Sequence, residues 1–346
     1  MKKIHFPSLS LTLTLATVTL LSSCQTIEPF KIDYMIPAQV NFPETLRRVA
    51  VVNNTPALKS DQIVIEQNES EAQKSYWGDG VLATEELAKA LADGNYFDEV
   101  IICDSALRAT DSVPQAHHLT QDEVIHLTQQ LDVDFLISLD AVLIKSQRKM
   151  EFFPQWNIFG GSVDSKVYTT TRIYLPQRQN AMATINANDS IFWESDGLTE
   201  SDALRSLPND IEVRNQSSQF AGTTPVNQLL SHWRSGQRYL YGGLSVAFRD
   251  AMIYVHEGDW NEAITLWKKE FDGKNKRRKK AAAYNLAVGY ELQDQIDQAL
   301  RWLKLSIEQT QPESAEQLMM KLYEQELQLR LSGMQQLQHQ TKRMME

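Results

Sequence analysis

The chain has only two cysteines in 346 residues, Cys24 and Cys103, which excludes a disulfide-stapled fold. Stability must come from packing, and a hydrophobic fraction of 42% is enough to build real cores. Positive charge is also short. Lys and Arg number 34 against 44 Asp and Glu, a formal net charge of -10, so the chain is not a general nucleic-acid binder. Catalytic signatures are missing as well: there is no Gly-x-Ser-x-Gly, no His-Glu-x-x-His and no phosphate-cradling glycine loop, and Gly160-Gly161-Ser162 reads as a turn. His117, His118 and His126 lack the i,i+4 spacing that puts two ligands on one helical turn. No metal, no cofactor and no catalytic residue is expected.

The first residues are Met1-Lys2-Lys3, followed by an apolar and Thr/Ser-rich run from Phe6 to Leu20. That run is too short and too polar for a stable membrane span, and it reads as a secretory signal over residues 1–23. Its ending, Leu21-Ser22-Ser23-Cys24, resembles the lipobox of bacterial lipoproteins. The resemblance implies a diacylglyceryl thioether on Cys24, cleavage before it, and membrane lipid as a partner held through the acylated cysteine. Two or three acyl chains anchor stably where one exchanges. Gln25-Thr26-Ile27-Glu28-Pro29 contains no acidic run, which points to the periplasmic face of the outer membrane. Pro29, Pro37 and Pro43 make residues 24–45 read as a tether. Cys103, within Val100-Ile101-Ile102-Cys103, reads as a small core residue.

Residues 46–198 carry the signs of an α/β domain. Strands are expected at Arg48–Asn53, Glu99–Cys103 and Asp134–Leu139, the last running on through Ile144. Between them come helices at Val81–Ala92, closed by Gly94, and after Thr120, whose offset to Glu123 is that of a capping box. Strand-helix-strand-helix-strand predicts a parallel sheet in a three-layer arrangement. The β-rich runs between 165 and 195 predict an antiparallel meander on the same sheet. Residues 199–222 read as a short helix and a loop. From Thr224-Pro225 to His256 the pattern reads as helical.

Residues 223–332 contain a repeat. Ala251, Tyr254, Ala263 and Trp267 recur as Ala287, Tyr290, Ala299 and Leu303, each 36 positions on. A period near 34 residues with small and aromatic positions in this order is the tetratricopeptide pattern. Small residues let paired helices approach, and aromatics fill the space between them. Gly258, Trp260, Asn285 and Leu286 complete the framework, while Asp294 stands where the inter-helix turn usually has glycine. Two repeats are fewer than usually stand alone. They are expected to lean on the α/β body and on a C-terminal helix over 313–331, with residues 333–346 a frayed tail.

The lipobox, the 49–53 strand and the stretches Arg238-Tyr239-Leu240-Tyr241, Gly258-Asp259-Trp260-Asn261-Glu262-Ala263 and Asn285-Leu286-Ala287 together resemble a family of bacterial envelope lipoproteins. Its members have tetratricopeptide-like C-termini and no assigned function. The first half is also similar in strand-helix order to the α/β domains of periplasmic assembly lipoproteins, such as the activators of peptidoglycan synthases. The repeat and the anchor, with no catalytic motif beside them, point to a non-enzymatic scaffold or assembly factor that binds an envelope protein through its repeats. A glycan- or peptidoglycan-binding accessory is the alternative, and a hydrolase with an unrecognised site a further one.

Two surfaces are candidates for partners. Lys274, Lys276, Arg277, Arg278, Lys279 and Lys280 give six basic residues in seven positions, suited to anionic headgroups or an acidic partner. Phe152, Phe153 and Trp156 belong to an aromatic segment that is core cover if buried and a binding loop if exposed.

Overall fold

A computed structural model describes residues 27–58, 63–68 and 73–345. The readings of residues 1–26, acylated Cys24 included, lie outside the described residues. Two compact units divide the described chain: residues 37–232 with 336–345, and residues 27–36 with 233–335. They are called here the sheet unit and the helical unit.

The sheet unit is built on parallel strands β2 (Arg48–Asn53), β5 (Glu99–Cys103) and β6 (Phe135–Phe153), with β2 in the middle. Val49 pairs with Val100 on one side and with Phe135 on the other. A strand covered on both faces needs apolar residues at successive positions rather than alternate ones, and Val49-Ala50-Val51-Val52 is buried throughout. Val49 and Val51 pack with Leu87 and Leu91 of helix α1 (Gly80–Asp93). Ala50 and Val52 pack with Val124 of α2 (Gln121–Leu131) on the opposite face. This is the three-layer arrangement expected from the sequence. Thr120 and Glu123 form both bonds of the capping box that starts α2. Gly94 ends α1 with ordinary right-handed angles, and it is Asn95, at φ 47°, that takes the left-handed turn expected of the glycine.

Strand β6 runs far past its parallel part. It pairs along its length with β7 (Ile158–Tyr174), which pairs in turn with β8 (Ala183–Gly197), giving the expected antiparallel extension. β8 is one continuous strand, and Gly160-Gly161-Ser162, expected as a turn, lies within β7. A hairpin of β3 (Val64–Asn68) and β4 (Gln73–Trp77) joins the second half of β6, its polar residues having hidden it in the sequence.

Helix α3 (Glu200–Ser206) is capped by Thr199. Residues 209–222, expected as a loop, form α4 (Asp210–Thr223). Asn209 and Glu212 make a second capping box, and Val213, Ser217 and Ala221 supply a buried face too small and polar to stand out in the sequence. Gly222 lies so close to α1 that a Cβ there would stand 2.3 Å from the Ala83 carbonyl oxygen. A short helix, α5 (Val226–Leu229), follows.

Three further expectations are corrected. Residues 27–45 are not a tether: β1 (Ile27–Ile36) pairs with β9 (His232–Tyr241), and Phe42 stacks on Phe97 and Phe135 in the core of the sheet unit. β9 itself replaces part of the helix expected over 224–256. Its Arg, Tyr and Trp residues make no 3.6-residue stripe, and its partner strand lies far away in the chain. The tail expected to fray over 333–346 is helical over its described residues, 333–345: α10 spans Ala315–Met345, and buried Gln340 donates to the Ala38 and Val40 carbonyls and accepts from the Ala38 N–H.

The helical unit comprises β1, β9, α6 (Val246–Glu257), α7 (Trp260–Asp272), α8 (Lys276–Leu292), α9 (Ile296–Glu308) and α10 up to Gln335. From α6 to α9 each helix packs on the next. Among the described residues no helix is long and apolar enough to cross a membrane.

A tyrosine-lined cavity as candidate functional site

The repeat framework sits where its residue types require. Ala251, Ala263, Ala287 and Ala299 are fully buried, as are Trp267, Leu286 and Leu303; Tyr254, Trp260 and Tyr290 are partly buried against the same core. The turn after α6 uses Gly258 at φ 81°, and 36 positions on Asp294 takes φ 57° in the corresponding turn. Glycine adopts this conformation freely, whereas aspartate accepts it at a modest cost. Asn285 has a further task. Its side chain accepts from the Tyr241 N–H and donates to the Tyr241 carbonyl, both at 2.9 Å, so α8 holds the end of β9 as a neighbouring strand would.

Next to that junction lies a buried ionic cluster. Glu291 of α8 is fully buried and receives Arg238 through both carboxylate oxygens at 2.9 Å. Arg330 donates to it at 2.5 Å and the Tyr323 hydroxyl at 2.6 Å. Arg238 reaches on to Glu326 at 3.1 Å and stacks over the Tyr323 ring at 4.3 Å. A buried carboxylate is tolerated when cations and donors fill its lone pairs. Burial works against the Arg238 charge, but its bonds to Glu291 outweigh this and hold the guanidinium protonated above even its ordinary range. The cluster ties β9, α8 and α10 together.

Between these elements is a cavity of about 720 Å³. Tyr241, Tyr284 and Tyr323 line it together with Met319, Met320 and Leu322 of α10, and Lys280 and Glu316 stand at its polar edge. Met319 and Leu322 are 52% and 66% exposed, so the apolar wall opens to solvent. Lys280 binds Glu316 at 2.6 Å and the Tyr241 hydroxyl donates to Glu316 at 2.7 Å. Burial opposes the Glu316 charge, but these two donors keep its carboxyl below the usual range. Burial, aided by Glu316, drives the Tyr241 hydroxyl well up, and burial takes Tyr284 to about 12. The tyrosines are therefore protonated at neutral pH and the edge charges are paired. Such walls offer apolar area and a few fixed polar groups, which suits binding rather than proton transfer.

The sequence candidates distribute unevenly around this site. Of the basic run, only Lys280 reaches the cavity. Lys274, Lys276 and Arg277 are exposed, Lys279 lies over the Phe271 ring, and Arg278 is 3.8 Å from Glu270. Phe248, Met252, Val255 and Val288 are core residues. Phe152 and Trp156 are exposed and Phe153 is half-buried at the β6–β7 turn of the sheet unit. His117 pairs with Asp111 at 2.9 Å, and His118 stands 3.9 Å from Asp140. Among the described residues no group of three or more His, Cys, Asp or Glu is arranged to hold a metal ion. Sequence reasoning missed Glu291, Glu316 and Glu326 altogether. Each is one acidic residue among many on a helix, and only tertiary packing sets it apart.

Residues 46–241, more than half of the chain, match the family described as domain of unknown function DUF8603, and the chain belongs to that family. Residues 249–329 match a second family, domain of unknown function DUF6340. No curated protein matches. Among solved structures, the hypothetical protein CT253 from Chlamydia trachomatis is similar over 53% of this chain and 87% of that one, at 13% identity and a TM-score of 0.19. That score is too low to bear on fold or function.

Proposed function

We propose that the protein is a membrane-anchored periplasmic lipoprotein acting as a non-enzymatic scaffold or assembly factor, which holds an envelope protein through its tetratricopeptide-like helical unit. The observation that carries this reading is the open cavity of about 720 Å³, walled by Tyr241, Tyr284, Tyr323, Met319 and Leu322. Tyrosine and methionine are the residue types enriched where proteins bind one another, and a pocket that buries an anchor side chain supplies most of an interface's affinity. The paired charges of Lys280 and Glu316 at the edge would orient the partner without the cost of an unpaired ion.

The test is recovery of the partner by crosslinking from envelopes of cells making the wild type or Leu322→Asp. A partner recovered with the wild type and reduced about tenfold or more by the substitution is the expected result. Recovery unchanged by a charge placed in the cavity mouth rejects the site. Anchoring is tested separately: Cys24→Ser is expected to leave the membrane pellet and to escape processing, and quantitative retention with normal processing rejects the lipid anchor.

A further inference from the structure

The aromatic segment that plays no part in the helical unit has a surface of its own. Across the far end of the sheet, Lys149 of β6 pairs with Ser162 of β7 and Ser162 with Glu194 of β8; one step on, Glu151 pairs with Gly160 and Gly160 with Asp196. Directly paired residues share a face of a sheet, and alternate residues along a strand return to it. Lys149, Glu151 and Phe153 therefore stand on the same face as Ser162, Gly160, Glu194 and Asp196. These residues and Trp156 border a cleft of about 480 Å³.

Gly160 makes room on this face for the Phe153 ring. A Cβ there would lie 2.5 Å from Cε2 of Phe153, so only glycine lets that ring lie across the neighbouring strand. The Trp156 ring follows at 5.9 Å, turned by 49°, and the residue is 67% exposed. Among the described residues, no side-chain hydrogen bond or ion pair engages Lys149, Glu151, Glu194 or Asp196. That differs from the helical cavity, where the charges bind one another. Here two aromatic rings, Phe153 at the end of β6 and Trp156 in the turn after it, are flanked by three carboxylates and an ammonium with free hydrogen-bonding capacity.

We propose that this face binds a saccharide chain of neutral or N-acetylated sugars. The axial C–H groups of a pyranose form an apolar, weakly positive face that stacks on an indole or phenyl ring. Its hydroxyls are donors that carboxylates accept strongly, and Lys149 can donate to a ring or amide oxygen. The excess of carboxylates selects against sulfated or uronic-acid chains. It also disfavours a bilayer, because dipping Trp156 into lipid would carry Glu151, Glu194 and Asp196 towards anionic headgroups. This site is separate from the partner-holding cavity, and each stands or falls without the other.

Calorimetry with chitotetraose and with oligogalacturonate, on purified full-length protein carrying Cys24→Ser, tests the proposal, with flotation on phosphatidylglycerol vesicles beside it. The expected result is binding of chitotetraose and not of oligogalacturonate. Trp156→Ala and Glu194→Gln should each weaken it about tenfold or more. Trp233→Ala, at an exposed tryptophan that is not among the residues bordering the cleft, should leave it unchanged, and all variants should melt as the parent does. Absence of chitotetraose binding, equal binding by Trp156→Ala, preference for oligogalacturonate, or vesicle flotation that depends on Trp156 would each overturn the proposal.

Discussion

Each unit buries a carboxylate completely, and the two are satisfied in different ways. Glu291 in the helical unit is met by two arginines and a tyrosine hydroxyl drawn from β9 and α10. Asp140 in the sheet unit sits at the bulge in β6 and is met by Arg172 of the adjoining strand β7, by the Ser138 hydroxyl of β6 itself at 2.5 Å and by the Asn54 amide of the loop after β2 at 3.2 Å. Strand register in the sheet unit is already fixed by backbone hydrogen bonds, so the carboxylate there is a local fitting. Helices and a two-stranded ribbon have no such ladder between them. In the helical unit the ionic cluster, with Asn285 on Tyr241, fixes how the elements that wall the cavity meet.

The comparison is broken most directly at Glu291. Glu291→Ala leaves Arg238 buried beside an empty site and should destabilise the helical unit by about 3–5 kcal/mol. Chemical denaturation, with hydrogen exchange to localise the loss, would show it. Replacing Glu291, Arg238 and Arg330 together by Leu, Met and Met should recover much of that stability yet lower partner binding, since charge specifies the arrangement more than it stabilises it. A Glu291→Ala protein as stable as the parent would remove the proposed role of the cluster.

Asp140→Asn should cost less, about 1–3 kcal/mol, because Arg172 is part-exposed and finds water, while Asn54 already has a side-chain oxygen with no partner. An effect on the sheet unit larger than that of Glu291→Ala on the helical unit would invert the comparison.

The strand core and the capped helices were legible in the sequence because their signals are local. Val49-Ala50-Val51-Val52 announces a strand covered on both sides, and Thr120 with Glu123 announces a helix start. β9 was not legible, since nothing near residues 232–241 discloses a partner strand at residues 27–36. Helix α4 hid because a face made of Val213, Ser217 and Ala221 carries little hydrophobic contrast. The site was half legible. The repeat framework gave Asn285 and the alanines, but Arg238, Glu291, Glu316 and Tyr323 come from three segments that only packing brings together.

The smallest effect sharpens the contrast at low pH. The Arg108 hydrogen bonds, against the opposing effect of burial, hold Glu123 of the sheet unit down at about 2. A carboxyl lowered from its unfolded value of about 4.5 contributes stability that is complete above that value and is lost as pH falls through the folded one. Arg108→Met should therefore flatten the loss of sheet-unit stability between about pH 4.5 and pH 2, leaving the helical unit's acid response as it was. Acid titrations followed by near-ultraviolet circular dichroism would check this, and an unchanged slope would count against the Arg108–Glu123 pair.

The central claim, that the helical unit holds a protein in its cavity, is tested most directly by photo-crosslinking in intact cells. One crosslinking residue replaces Met319 in the cavity wall, and another replaces Lys276 in the exposed basic run. A discrete protein adduct from position 319, absent from position 276 and lost with Leu322→Asp, is the expected result. No adduct from position 319, or equal adducts from both positions, would contradict it.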